Sequence, residues 1–154
     1  MSPGYDSTDD TKRHSARVRE LLLDVCKALS RRGDSHDASK IREPELSVFN
    51  EYTPKLKTST YGSEEYKGFL ASMGAGLAYH YANDNNRHHP EHFSNGIDGM
   101  SLIDLIEMLM DWKAATERHD NGDIRRSIEL NSERFGICPQ LVAVLRNTVD
   151  ECGL

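Results

Sequence analysis

Apolar side chains recur at three- and four-residue steps along most of this 154-residue chain. That spacing keeps them on one side of an α-helix, whereas a half-buried strand would show alternation. The pattern predicts about six helices, running roughly over residues 8–32, 36–52, 63–81, 102–119, 123–134 and 139–150. No convincing strand pair and no internal repeat accompanies them. We therefore expect an all-α fold, a compact single-domain helical bundle.

Residues with known preferences at helix ends indicate where these helices start and stop. Gly33 is a natural stop for the first helix, and Ser35 is suited to cap the second. Pro44 is expected to break the second helix into two pieces, because proline removes a backbone donor. Residues 53–63 have the composition of a loop. Ser101 is predicted to cap the fourth helix.

The composition favours one domain and argues against several functional classes. No Pro-, Gly- or Ser-rich tract divides the chain, so we expect one domain over residues 1–154, with residues 1–8 flexible. The 19 basic and 25 acidic residues give a net charge of -6 without a basic run, which argues against general nucleic-acid binding. No apolar run reaches the roughly 20 residues that span a bilayer, and no signal core is present. We expect no membrane partner and a cytoplasmic location, in a bacterium or a phage-infected cell.

The three cysteines, Cys26, Cys138 and Cys152, are an odd number without CxxC spacing. Neither a disulfide framework nor a thiolate zinc site is indicated, and a reducing compartment fits best. A metal site in this chain would therefore use nitrogen and oxygen ligands.

The first predicted helix has an apolar stripe that we expect to face the core. The stripe is formed by Val18, Leu21, Leu22, Val25 and Leu29. His14 stands four residues before Val18 and extends the same stripe, because residues i and i+4 share a helix face. His14 is therefore a candidate inward-facing histidine.

The stretch SHDASK contains three side chains that suit a metal and phosphate site. His36 and Asp37 can present an imidazole nitrogen and a carboxylate oxygen to one divalent cation. Lys40, one turn further on, can hold a phosphate oxygen. The alternative is a polar first turn of a helix, in which Asp37 stabilises the helix dipole.

A second cluster combines the end of the third predicted helix with the loop RHHPEHFSNG. His80 lies on the buried stripe of that helix, and a short Asn-rich loop leads to His88 and His89. Together these imidazoles can supply several nitrogen ligands to one metal. Exposed loop histidines are also common, and His92 is expected to lie on the surface.

The fourth predicted helix, LIDLIEMLMDWKAATERH, carries acids opposite an apolar face. The apolar face consists of Leu102, Leu105, Leu109, Trp112 and Thr116, and the polar side of Asp104, Glu107, Asp111 and Arg118. One interpretation is a solvated polar face. The other is a central helix whose acids line a cleft, because little of the remaining circumference is polar. A buried carboxylate needs a partner there, and a metal is one candidate.

Taken in chain order, three motifs resemble those of the HD superfamily of metal-dependent phosphohydrolases, most closely its HD-GYP branch. They are HDxxK at His36, Asp37 and Lys40, HHxE at His88, His89 and Glu91, and the carboxylate Asp111 in MDWKAAT. The resemblance implies an HD-domain-like helical fold. No Tyr-Pro follows HHPEHFSNG, so the cyclic-dinucleotide specificity of that branch is not implied. Nearly the whole chain also resembles a family of small uncharacterised phage and bacterial proteins, which implies no activity.

The resemblance to the HD superfamily also implies a ligand set. The ligands of a first ion would be His36, Asp37 and Asp111, and those of a second ion, or of the substrate phosphate, would be His80, His88 and His89. HD enzymes usually supply a further histidine from the preceding helix, and His14 is the only candidate. A straight first helix would place His14 about 17 residues, or about 26 Å, from its end. Either that helix is broken, or the His–Asp pair is held differently, or His14 is a buried structural histidine.

A metal-dependent phosphohydrolase is the function that these observations favour. A divalent ion lowers the pKa of bound water and polarises a phosphoryl oxygen. Lys40 would neutralise a phosphate, with Glu91 or Glu107 relaying a proton. The ligands suit Mn, Fe, Co, Ni, Zn or Mg, as one or two ions. The expected partner is a small phosphorylated substrate, and the resemblance alone implies a nucleotide.

Three alternatives stay open at this point. The first is a catalytically inactive phage-type protein that binds a nucleotide or inhibits a host protein. The second is a di-iron oxygenase of the HD type, since histidines and carboxylates can hold two irons. The third is a helical domain whose histidines are scattered and without a site.

Overall fold

The computed structural model describes residues 5–60, 62–118 and 122–154. Within these ranges the chain forms six α-helices: α1 (Thr8–Ser35), α2 (Glu45–Thr58), α3 (Glu64–Ala82), α4 (Leu102–Thr116), α5 (Ile124–Phe135) and α6 (Pro139–Cys152). Three short 3-10 helices cover Ala38–Ile41, Pro90–His92 and Gly96–Gly99, and the described ranges contain no strand. The predicted all-α class with six helices is confirmed. The extent of the domain stays a prediction, and the residues before Tyr5 lie outside the described part.

The main core lies where α4 packs against α5 and α5 packs against α6. Its buried side chains are Met108, Leu109, Trp112, Ile124, Ile128, Ile137, Leu145 and Val149. Trp112 of α4 lies parallel to Phe135 of α5, with ring centroids 6.5 Å apart. α1 also contacts α4, and α2 pairs with α3. α4 therefore has the core on one side and α1 on another.

Several helix starts follow the local signals in the sequence. Ser63 Oγ accepts a hydrogen bond from the backbone N–H of Tyr66, 3.1 Å away. Ser101 Oγ accepts from the N–H of Asp104, whose carboxylate accepts from the N–H of Ser101, so that α4 begins with a reciprocal capping box. The break at Pro44 is confirmed, since α2 begins at the following residue.

Three predicted helix boundaries are wrong. Gly33 does not end the first helix, because α1 continues to Ser35. Ser35 does not cap a second helix: it is the last residue of α1, and its hydroxyl donates to the carbonyl of Arg31. Residues 53–63 are not all loop, because α2 continues to Thr58 with Pro54 inside it. Pro54 removes one backbone hydrogen bond there, but the helix continues past it to Thr58.

The inward stripe predicted for α1 is wrong. No residue of α1 is buried, and the stripe from His14 to Val25 is exposed. The partly buried residues of α1 are Ala28, Leu29, Arg32 and Ser35. α1 therefore packs on the domain only near its C-terminal end, and the helical period could not reveal how far the neighbouring elements reach.

Leu102, predicted on the apolar face of α4, is 74% exposed because it is the first residue of that helix and precedes the core contact. The predicted end of this helix near residue 119 lies outside the described residues, and α4 ends at Thr116. Among the described residues, no helix combines the length and the apolar character needed to cross a membrane.

Candidate metal centre

Four separate segments of the chain bring ligand-type side chains together. The turn after α1 supplies His36 and Asp37, the last turn of α3 supplies His80, and the loop before Pro90 supplies His88 and His89. α4 supplies Glu107 and Asp111. Asp37 adopts a left-handed conformation, with φ of 55°, which aspartate tolerates better than most residues and which reverses the chain directly after α1.

These side chains form two groups, and in each group the ligand atoms lie within 4.8 Å of one another. The first, which we call the His80 group, is Asp37, His80, His88 and His89. The second, which we call the His36 group, is His36, His88 and Asp111. All six side chains were predicted ligands, and the structure brings them to one place.

In the His80 group, three imidazoles and one carboxylate oxygen converge. Asp37 Oδ1 lies 3.4 Å from Nε2 of His80 and 3.7 Å from Nε2 of His88. Nε2 of His80 and Nε2 of His89 are 2.9 Å apart. Asp37 Oδ1 and His88 Nε2 are buried and have no hydrogen-bond partner among the described residues. A divalent cation between these atoms would satisfy both.

In the His36 group, one imidazole nitrogen faces two carboxylates. His36 Nε2 lies 3.6 Å from Asp111 Oδ1 and 3.5 Å from Asp37 Oδ2. Asp37 therefore directs Oδ1 towards the His80 group and Oδ2 towards the His36 group. Lys40 Nζ donates to the same Oδ2 atom. The Asp37 carboxylate thus lies between the two groups, which also share His88, and it could contribute one oxygen to an ion in either group.

Buried residues behind His80 fix the orientation of its ring. Glu45 is fully buried, and its Oε2 lies 2.7 Å from Nδ1 of His80 and accepts from Ser39 Oγ at 3.0 Å. A hydrogen bond from Nδ1–H to a carboxylate leaves the Nε2 lone pair free for a metal. Asn86, also fully buried, donates from Nδ2 to the carbonyl of His80. Sequence reasoning missed Glu45 and Asn86, since one looks like an ordinary first-turn acid and the other like a loop residue.

Glu107 occupies the corresponding position behind His36. Its Oε1 lies 2.9 Å from Nδ1 of His36 and 3.2 Å from Nδ1 of His88, while its Oε2 lies 2.6 Å from Arg32. Arg32 also donates to the buried Asp104 at 2.8 Å. Glu107 is 7% exposed and does not line the cavity next to the site. Glu107 thus lies behind His36 and its hydrogen bond fixes the orientation of that ring, while its role as a proton relay stays a prediction.

The charges in this cluster depend on one another. The carboxylates of Asp111 and Glu107 raise the pKa of His36 to about 10. Burial opposes ionisation of the two acids, but the neighbouring His36 imidazole lowers the pKa of Glu107 and of Asp111 to about 2. Burial, together with neighbouring His88, lowers the pKa of His89 to about 2. At neutral pH the carboxylates of Glu107 and Asp111 are thus ionised and His89 is neutral, which are the states that bind a cation. His36 is protonated, so binding of a cation at its Nε2 would release a proton.

Three further residues considered in the sequence analysis, Glu91, His92 and His14, belong to neither group. Glu91 lines the cavity but belongs to neither group, and its Oε1 accepts from Arg134 at 2.6 Å. His92 Nδ1 contacts the carbonyl of Tyr81, and this histidine belongs to neither group, as predicted. His14 is exposed on the outer part of α1 and also belongs to neither group. The prediction that His14 joins the site is therefore wrong, because the helix is continuous from Thr8 to Ser35.

A cavity of about 410 Å³ opens next to the His80 group. Four site residues, Asp37, His80, His89 and Asp111, line one part of it. Its basic lining residues are Lys40, Lys57, Arg118 and Arg134, and its aromatic ones are Phe49, Tyr66, Tyr81, Trp112 and Phe135. A cavity of this size can enclose a small organic ligand. Its lining also contains the acidic Asp37, Glu91 and Asp111, so the four basic side chains exceed the acidic ones by one and favour an anionic group locally.

One family model, described as a family of unknown function (DUF5662), matches residues 4–151. No curated protein and no solved structure matches the chain. The match covers nearly the entire sequence and assigns no activity. The resemblance to the HD superfamily therefore stays a prediction.

Proposed function

Since the chain belongs to DUF5662, a family of unknown function, its own site residues are the guide to its activity, and we propose that it is a metal-dependent phosphohydrolase. The proposed substrate is a nucleotide or a related small phosphate ester. The single observation that carries the proposal is the convergence of His36, Asp37 and Asp111 with three further imidazoles beside a cavity whose lining includes four basic residues.

The donor set supports a divalent cation. All six candidate ligands are imidazole nitrogens or carboxylate oxygens, which suit Mn, Fe, Co, Ni, Zn or Mg. Glu45 and Glu107 behind the imidazoles supply the hydrogen bonds that orient metal-binding histidines in proteins. When bound, a divalent ion supplies an activated water and polarises a phosphoryl oxygen.

The protein side chains around the cavity would bind and orient the phosphate. Lys40 Nζ donates to Asp37 and lies 4.8 Å from the centre of the Phe49 ring. Its charge is therefore held between the candidate metal ligands and the cavity. Arg134, anchored by Glu91, lies on another wall. These two cations can hold separate oxygens of a phosphate or diphosphate, while the aromatic side chains suit stacking with a base.

The proposal is tested by metal analysis and by phosphate release. The protein is purified without a histidine tag, its metal content is measured by mass spectrometry, and a nucleotide panel is assayed with added Mn or Mg. We expect bound metal and phosphate release in the wild type, and loss of both in Asp37→Asn and Asp111→Asn. His14→Gln is the matched control, because this histidine lies outside both groups.

Three outcomes of this experiment would count against the proposal. A wild type without metal after reconstitution, or a metal content that is equal in Asp37→Asn, would remove its basis. Metal binding and tight nucleotide binding without turnover on any metal would instead identify a binding protein.

A second candidate, a di-iron oxygenase, is favoured by one feature of the geometry. The two oxygens of Asp37 face different histidine groups, which suits a carboxylate that links two irons. Reconstitution with ferrous iron under reducing conditions, followed by measurements of oxygen uptake and visible absorption, distinguishes this activity from phosphate release.

A further inference from the structure

The outer part of α1 presents an apolar stripe that nothing in the described structure covers. Val18, Leu21, Leu22 and Val25 are between 39% and 60% exposed, and their spacing places them on one side of the helix. Residues 8–27 extend over about 30 Å before the first partly buried residue, Ala28. A helix of this length is marginal in water without packing, and a large exposed apolar surface marks an interaction site.

Charged residues alongside this stripe repeat every seven residues and alternate in sign. They are Asp10, Arg17, Asp24 and Arg31, and all four are exposed. Seven residues correspond to nearly two full turns, so these side chains form one line along the helix, next to Leu21. Within the monomer, Arg17 pairs with Glu20 and Asp24 pairs with Lys27, and all of these groups are mostly exposed and free to exchange partners.

The alternation is self-complementary when two copies run antiparallel. A twofold axis between residues 20 and 21 places Arg17 opposite Asp24 of the second copy, and Asp10 opposite Arg31 of the second copy. Each pair occurs twice, so all four charges on each helix meet an opposite charge. In a parallel, in-register pair, the residues of the second copy opposite this charged line would instead be the uncharged Ser15, Leu22 and Leu29.

In the same twofold arrangement, the apolar side chains of the two helices interdigitate. Val18 falls at the level between Leu21 and Val25 of the second copy, and Val25 falls between His14 and Val18 of the second copy. This alternation of level is the knobs-into-holes arrangement of helix pairs. We propose that this protein is a homodimer in which the outer part of α1 pairs antiparallel with α1 of a second copy.

Sedimentation analysis of the full chain over a range of concentrations tests the pairing. We expect a dimer for the wild type and a monomer for Leu21→Lys. Leu23→Lys is the matched control, because Leu23 is similarly exposed, at 46%, but lies on the other side of the helix. Circular dichroism verifies that each variant is folded. A monomeric wild type, or a Leu21→Lys variant that still dimerises, would overturn the proposal.

A charge exchange identifies the partner and the direction of pairing. Arg17→Asp and Asp24→Arg should each weaken dimerisation about tenfold or more, because each creates two like-charge contacts. The double variant Arg17→Asp/Asp24→Arg restores both pairs with reversed sign and should return the dissociation constant to within about threefold of the wild type. If the loss of dimerisation free energy in the double variant equals the sum of the losses in the two single variants, antiparallel self-association is refuted. A different partner or a lipid surface on α1 would not predict this rescue.

Discussion

Glu45 Oε2 lies 2.7 Å from Nδ1 of His80, and both side chains are buried. The two residues are 35 positions apart in the chain, and the contact joins the start of α2 to the last turn of α3. A buried carboxylate without a partner is costly, so Glu45 favours the tautomer of His80 that carries its proton on Nδ1, although the amide of Asn86 also lies 2.8 Å from Nδ1. In this tautomer the lone pair of Nε2 is directed towards Asp37 Oδ1. The ring is thus preorganised before a ligand arrives.

Glu45→Gln should weaken metal binding about 10- to 100-fold, which is the usual effect of losing such a hydrogen-bonded carboxylate. The amide is nearly the same size, but it is a weaker acceptor and its NH₂ group favours the other tautomer of His80. Competition titration with a metal indicator measures the affinity. Glu51→Gln, an exposed glutamate of the same helix, is the control and should bind metal like the wild type. Equal affinities for both variants would contradict the role of Glu45.

Lys40→Met should lower phosphate release about 100-fold while leaving metal binding intact or slightly tighter. The reason is that this ammonium group repels a cation at Asp37 but attracts a phosphate. Steady-state kinetics and metal analysis measure the two effects separately. Lys55→Met removes a half-buried lysine that pairs with Glu51 away from the two groups, and it should change neither quantity. If Lys40→Met loses its metal, the lysine supports the site in another way.

Metal should stabilise the folded protein. A ligand that binds only the native state at about 100 times its dissociation constant raises the unfolding free energy by about 2.7 kcal/mol. Urea titrations with excess metal and with a chelator measure this difference. In Asp37→Asn the difference should vanish while the fold persists, because asparagine tolerates the left-handed conformation at this position. An Asp37→Asn variant that metal still stabilises fully would show that the ion binds elsewhere.

Acidification should destabilise the chain through Asp104. Burial opposes the ionisation of this carboxylate, but hydrogen bonds from Ser101 and Arg32 lower its pKa below the ordinary 3.8. A group with a lowered folded-state pKa stabilises the protein above its ordinary pKa, and this contribution disappears as the pH falls through the lower, folded-state value. The decline therefore begins near pH 4 and continues below it.

Asp104→Asn should remove that contribution. At neutral pH we expect a loss of about 2–3 kcal/mol in unfolding free energy, from the weakened capping box and the lost Arg32–Asp104 ion pair, while Arg32 keeps its contact with Glu107. Below pH 4 the difference from the wild type should shrink. Urea titrations of both proteins across this range measure it, with the exposed Asp84→Asn as control. A difference that is constant with pH would exclude ionised Asp104 as the source.

Much of the local structure could be predicted because its causes lie within one or two helical turns. Ser101 caps α4 through contacts three residues away, and the positions of α5 and α6 follow from their own apolar periods. The six candidate ligands of the two groups were also identifiable, since His80 falls on a buried stripe and the other five lie in short motifs. The apolar period of α1 also predicted an amphipathic helix correctly. It did not reveal whether the rest of the domain covers the apolar side of that helix.

The sequence by itself determined the helices, their caps and the supply of imidazoles and carboxylates, because these depend on neighbours along the chain. Only the tertiary structure decided that His36 contacts Glu107, 71 residues away, that Glu45 stands behind His80, and that His14 is left outside. Such contacts depend on where separate helices end and how they pack. The residue type alone does not reveal whether an acid is buried or exposed. The physical reason is that burial and long-range pairing are properties of the assembled helices, not of any one segment.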